Sequence, residues 1–340
     1  MAPLVSALVA AVALAGCGGA TPTPKKDVRA GARRSGTAVA TATRRTTTVP
    51  ARPVKLTYRA RYALPAPVRD PAFAALGAGR FVLLGGLDSA DVSTAGIELV
   101  GPGSKLHTAS LPVAQHDAQG AHLGRDVYVF GGGTTVEQDH ILAFNPHNGQ
   151  VRTVGTLPRA ASDVTVTALG GTAYVIGGFD GINWLDTILA WRPGSPPRVV
   201  GRLPVGLRYA AATAVDGQIL IIGGSTTLAA SSTIFRFDPA NGQVRQIGRL
   251  PQPTTHASAA TLGSFAYLVG GRGNSDSSQT AKVFSIDPRS GRVRLAGDLP
   301  QPLSDTAVVA IGRHLVVAGG LTSAGGTEAR VGVLTPQPAR

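Results

Sequence analysis

The stretch LPVGLRYAAATAVDGQILIIGG, residues 203–224, decides the fold. It opens on Leu203-Pro204. A run of small residues follows, Tyr209 to Val215, then a Gly-containing turn. A continuous apolar run, Ile219 to Ile222, ends in Gly223-Gly224. Strands apolar on both sides are covered on both faces. The same sentence is written six times. Gly-Gly pairs stand at 85, 131, 177, 223, 270 and 319, spaced 46, 46, 46, 47 and 49 residues apart. Leu-Pro pairs precede them at Leu64, Leu111, Leu157, Leu203, Leu250 and Leu299. The interval is 21 residues in the first unit and 20 in the others. A third marker follows each pair, at Pro102, Pro146, Pro193, Pro239, Pro288 and Pro336.

Each unit reads as four strands. After the second comes a third ending in Phe-Asn-Pro (144–146), Trp-Arg-Pro (191–193) or Phe-Asp-Pro (237–239). A tight turn at 148–149, 241–242 or 290–291 leads to a short fourth, such as VRTVG (151–155). Four strands in about 46 residues define the blade of a β-propeller. Small residues in the first strand suit the crowded axis where innermost strands converge. The last unit supplies three strands and stops near Pro336. An orphan strand, VKLTYRARYA (54–63), sits before the first Leu-Pro in the fourth-strand position. The expectation is an all-β, six-bladed propeller over residues 54–340, its N-terminal strand closing the last blade and removing the sheet edges.

Those units resemble the kelch-repeat family, over roughly residues 54–336. One departure is visible. Kelch units usually carry a Trp about six residues before the Leu-Pro-like pair, where this chain has Val151, Val244 and Val293. The resemblance implies a fold rather than an activity.

Composition agrees and removes other classes. Charged residues make up 15% and hydrophobic residues 43%, too apolar for a disordered chain. One Cys excludes a disulfide scaffold and a Cys-based zinc site. The net charge of +13 is concentrated: residues 18–55 hold nine basic residues and one acid. No basic patch interleaved with aromatics accompanies it, so nucleic acid is not an expected partner.

Residues 4–16, LVSALVAAVALAG, are too short to span a bilayer and fit a signal-peptide core. The run ends in Leu14-Ala15-Gly16-Cys17, which resembles the lipobox of bacterial lipoproteins, although no Lys or Arg precedes it. That implies a signal peptide over 1–16, diacylglycerol on Cys17, and attachment to the extracytoplasmic face of a bacterial cell membrane. Residues 17–53 read as a disordered basic tether drawn to anionic headgroups.

Counting six from each Leu of Leu-Pro gives Asp70, Asp117, Asp163, Tyr209, His256 and Asp305. Six-fold geometry places them around the channel mouth. That face carries the fourth-to-first and second-to-third connections. Two readings stay open: a site for a ligand or hard cation, or carboxylates that accept backbone N–H bonds at strand starts. The loop Phe179-Asp180-Gly181-Ile182-Asn183-Trp184 lies on the same face, where Trp184 and Asp180 suit a sugar or a peptide. Arg208 and Arg272 add positive charge, and either could instead bridge blades.

No nucleophile elbow, phosphate loop or H-E-x-x-H motif occurs. No catalytic residue, metal or cofactor is expected. The copper and Tyr–Cys chemistry of kelch-like galactose oxidase is excluded, because Cys17 is the single Cys. The expected role is a monomeric binding module for a protein or carbohydrate. The alternative is a cofactor-free sugar enzyme resembling sialic-acid mutarotases, which need only an acid and a base.

Overall fold

The glycine pairs are the joints of the ring. The structure, a computed structural model, describes residues 52–103 and 109–337. Both glycines of every pair have positive φ, for example 62° and 105° at Gly177 and Gly178. A Cβ on Gly177 would lie 2.3 Å from the Leu207 carbonyl oxygen, and the Gly178 N–H donates to that same oxygen at 2.8 Å. Leu207 belongs to the next blade. The arrangement recurs at all six pairs, ending with Gly320 N–H on Val68 O. A side chain at the first glycine would therefore push neighbouring blades apart.

The architecture is a six-bladed all-β propeller. The innermost strands are Ala72–Gly77, Gln119–Leu123, Thr165–Leu169, Ala211–Val215, Ser258–Leu262 and Ala307–Ile311. Each packs on the next, and the last packs on the first. Blades two to five run in simple antiparallel order, such as Ala211–Val215, Gln218–Ile222, Thr233–Asp238 and Gln243–Arg249 in blade four. Blade one shows three described strands; residues 104–108 follow them and lie outside the described residues.

The last blade closes as expected. Strand Leu56–Ala63 pairs antiparallel with Arg330–Pro336 from Leu56↔Pro336 to Ala63↔Arg330, with one register shift between Ala60 and Tyr62. Tyr58 lies across Gly332, where a Cβ would fall 2.0 Å from its ring. The core is divided among the gaps between blades. Between blades two and three, buried Trp191 meets Tyr128 edge-on at 4.7 Å and Phe130 at 5.3 Å.

The proposed signal peptide, the Cys17 lipobox and nearly all of the tether lie outside the described residues. No helix among the described residues is long and apolar enough to cross a membrane.

Candidate functional site at the channel mouth

Six residues close a ring of backbone hydrogen bonds. Asp117 N–H donates to Asp70 O (3.3 Å), Asp163 to Asp117 (2.9 Å), Tyr209 to Asp163 (3.1 Å) and His256 to Tyr209 (3.2 Å). Asp305 then donates to His256 (2.9 Å), and Asp70 to Asp305 (3.1 Å). All six have φ between 51° and 59°. The left-handed region favours Asp, Asn and His over other non-glycine residues. The recurrent Asp is thereby explained by the backbone. The expectation that these carboxylates accept backbone N–H bonds is replaced: the main chain closes the ring, and the carboxylates are left for other partners.

Their partners are each other, Arg208 and the side chains of Ser304 and Tyr209. Asp163, with a side chain 1% exposed, is paired through Oδ2 with Arg208 Nε from the next blade. Asp70 hydrogen-bonds to Asp305, and Asp117 to Asp163. Burial, then the charges of Asp305 and Asp117, holds Asp70 well above the usual carboxylate range. Burial, then Asp163, does the same to Asp117. In each pair the shift upward favours the protonated form, which can donate to the neighbouring acid, Asp305 for Asp70 and Asp163 for Asp117. As bare carboxylates, Asp163 and Asp305 would leave buried oxygens without donors. Ser304 Oγ donates to Asp305 Oδ2 at 2.5 Å. Among the described residues no group of three His, Cys, Asp or Glu side chains is arranged to hold a metal ion.

Tyr209 and His256 break the run of acids. Their rings stack at 3.7 Å with planes 23° apart, and Tyr209 OH donates to Asp117 Oδ2 at 3.2 Å. Burial, then the charges of Arg272, Arg208 and Arg69, holds the His256 pKa well below its ordinary value, so the imidazole is neutral. Arg272 Nη2 sits 3.1 Å from His256 Nε2. A guanidinium only donates, so Nε2 is the acceptor, and Nδ1–H faces Thr255 Oγ1 at 3.1 Å.

Arg69 was missed in the sequence, although it precedes Asp70 as Arg208 precedes Tyr209; His116 occupies the same offset before Asp117. Arg69 Nη2 meets Asp91 at 2.7 Å, and Arg272 Nη1 meets Asp276. Those two acids are 73% and 88% exposed, whereas the arginines are 16% and 17% exposed. Such pairs contribute little, because water and salt compete for the exposed partner. Two inward guanidiniums are thus held by carboxylates that another anion can displace.

Trp184 and Asp180 are only partly brought in. Trp184 is half-buried, packed edge-on against Phe179 at 5.1 Å, with the Arg208 guanidinium 5.2 Å from its ring and 4.3 Å from that of Phe179. It supports Arg208 rather than standing free. Asp180 faces its own loop: its Oδ1 accepts from Ile182 N and Asn183 N, and its Oδ2 pairs with Arg159.

The cavity enclosed by the ring is about 50 Å³; below it the channel widens to about 400 Å³ between small residues such as Ala75, Ala212 and Thr261. The upper space is well short of the ~300 Å³ of ordinary ligand pockets. The space within the ring is too small for a sugar.

The fold is that of a six-bladed β-propeller with four-stranded, kelch-like blades. The family model described as Kelch motif matches residues 206–251, within blade four and the connection before it. No curated protein matches the chain. Among solved structures, 921 chains match, so the architecture by itself selects no chemistry. One of them, described as the structure of YjhT, gives a TM-score of 0.71 at 17% identity. That match covers 82% of this chain and 97% of that one. The likeness is one of fold.

Proposed function

We propose that this protein is a lipid-anchored, extracytoplasmic binding module that captures a small anionic ligand at the channel mouth. The observation that carries the ligand class is Arg272 against the neutral His256 and Arg208 beside the stacked Tyr209, with the charge of Arg69 also acting on His256. Two of the three are held by displaceable surface carboxylates. A sugar acid fits that chemistry: its carboxylate meets Arg272 and Arg69, and its ring lies over Tyr209 and His256. The open mouth favours binding over a mutarotase-like reaction, which calls for a closed polar pocket around the sugar.

Calorimetric titration of residues 54–340 with sialic acid and with its methyl ester tests the reading. The acid should bind at least tenfold more tightly than the ester, and Arg272→Ala should remove the difference. Equal affinity of acid and ester overturns the assignment; conversion of one sialic-acid anomer to the other faster than in buffer favours the enzyme. Anchoring rests on the Cys17 motif. Cys17→Ala should shift the protein from the membrane to the soluble fraction, and unchanged retention refutes it.

A further inference from the structure

Nine large apolar side chains stand exposed among the described residues, and six belong to loop-face connections of blades one to four. Val92, Val136, Ile182 and Leu228 follow the Gly-Gly pairs, while Val113 and Val205 follow Leu-Pro. In blades two to four the residue four places after the second glycine is apolar: Val136 is 61% exposed, Ile182 81% and Leu228 93%. The same place holds Ser275 in blade five and Ala324 in blade six. An exposed apolar arc on one side of a ring marks an interaction surface.

Inside that arc blade three contains a cavity of about 500 Å³, bordered by Pro158, Asn183, Trp184 and Leu185. Its origin lies in three residues. Blade four carries Leu207, Ile221 and Phe235 where blade three carries Ala161, Val175 and Leu189. The smaller set leaves the space open. Trapped side chains in such pockets dominate protein association.

Charge selects the occupant. Arg159 and Arg202 beside the cavity are already paired with Asp180 and Asp186. Glu137 and Asp139 make no ion pair among the described residues, and Glu137 sits against Gly181, between the tips of blades two and three. Strand Leu56–Ala63 runs toward the loop face, so the chain enters from the opposite side. There Pro53 lies beside Phe265, Asp287 and Arg292. We propose that the loop face of blades two to four docks a polypeptide segment whose aromatic or branched apolar side chain enters the blade-three cavity and whose basic flank meets Glu137 and Asp139.

Peptides selected from a displayed random library on immobilised residues 54–340 supply the probe. Selected sequences should pair an aromatic or branched apolar residue with Lys or Arg. Their affinity should fall at least tenfold with Ala161→Leu, which installs the side chain that blade four already holds at this place. Ile182→Ser and Glu137→Lys, both at surface loops, should weaken binding as well and keep the test valid should Ala161→Leu misfold. Arg272→Ala should leave peptide binding unchanged, which separates this surface from the anion site. Failure to enrich any peptide overturns the proposal, as does equal binding by wild type and all three variants. It also fails if Ile182 and Leu228 instead govern binding to anionic phospholipid vesicles, or self-association in sedimentation.

Discussion

Removing the Arg208 guanidinium should cost more stability than any other single change at the channel mouth. Arg208 is paired with Asp163, whose side chain is 1% exposed, and its guanidinium also lies 4.3 Å from the Phe179 ring. Arg208→Ala leaves the buried Asp163 carboxyl without its cation. Breaking a buried pair from one side costs about 3–5 kcal/mol. The lost cation–π contact adds roughly 0.5–1 kcal/mol. For a domain of this size each kcal/mol corresponds to about 2–4 °C, so the melting temperature should fall by on the order of 10 °C. Thermal unfolding followed by circular dichroism, with urea titration as a check, measures it. Arg208→Met combined with Asp163→Asn removes both charges and should recover most of the loss, because exchanging a whole buried pair for neutral groups is often near neutral. A loss below about 1 kcal/mol for Arg208→Ala, or a double variant no better than the single one, refutes the reasoning.

Deleting residues 18–50 should leave the melting temperature unchanged. Deleting 18–63 removes the partner of Arg330–Pro336 and the buried Leu56, and should abolish cooperative melting; equal melting of the two proteins rules out the closure. Burial pushes the Glu98 carboxyl up to about 7. Its folded-state pKa lies above its unfolded one, so the contribution is full below about pH 4.3 and is lost as pH rises through 7. Glu98→Gln should therefore raise the melting temperature at pH 8 and flatten its decline between pH 5 and 8, and an unchanged pH profile contradicts the assignment.

The fold was legible wherever a backbone constraint dictates a residue type. Gly177 and Gly178 must be glycine because a carbonyl of the next blade occupies the place of a side chain. Such constraints repeat in phase with the blades, so periodicity reveals them. The small residues of Ala211–Val215 were legible for the same reason, since they line a narrow channel. The outer strands were fainter. Val151–Thr156 is largely exposed, and little but its position in the repeat identifies it. The site was legible in position only. That Asp70, Asp117, Asp163 and Asp305 share a ring followed from their common offset. Which of them are pushed upward depends on burial and on neighbours far away in the chain, Asp305 for Asp70 and Asp163 for Asp117. Arg69 escaped notice because it lies one residue outside the common offset and pairs with Asp91, an acid of an irregular loop.

Asp recurs in the ring because it tolerates positive φ, yet the ring cannot use Asp everywhere. Burial, and then the neighbouring acids, already push the Asp70 and Asp117 carboxyls well above the usual range. Two more carboxylates at 209 and 256 would add like charge to a group that burial has already pushed toward neutrality. His also suits the left-handed region; Tyr does not, and Tyr209 at φ 52° is the outlier. Strain of this kind costs about 1–3 kcal/mol and persists only where surroundings enforce it. Here the enforcement is visible: Tyr209 stacks on His256, donates to Asp117 and has Arg208 5.0 Å from its ring. A hydrophobic residue could have relieved the charge equally well. What Tyr and His supply, and a hydrophobic residue would not, is a flat polar surface bordered by two arginines. The break in the repeat therefore falls on the side of the mouth where Arg208 and Arg272 stand, and the contacts that enforce the strain at Tyr209 are the ones that shape the proposed anion site.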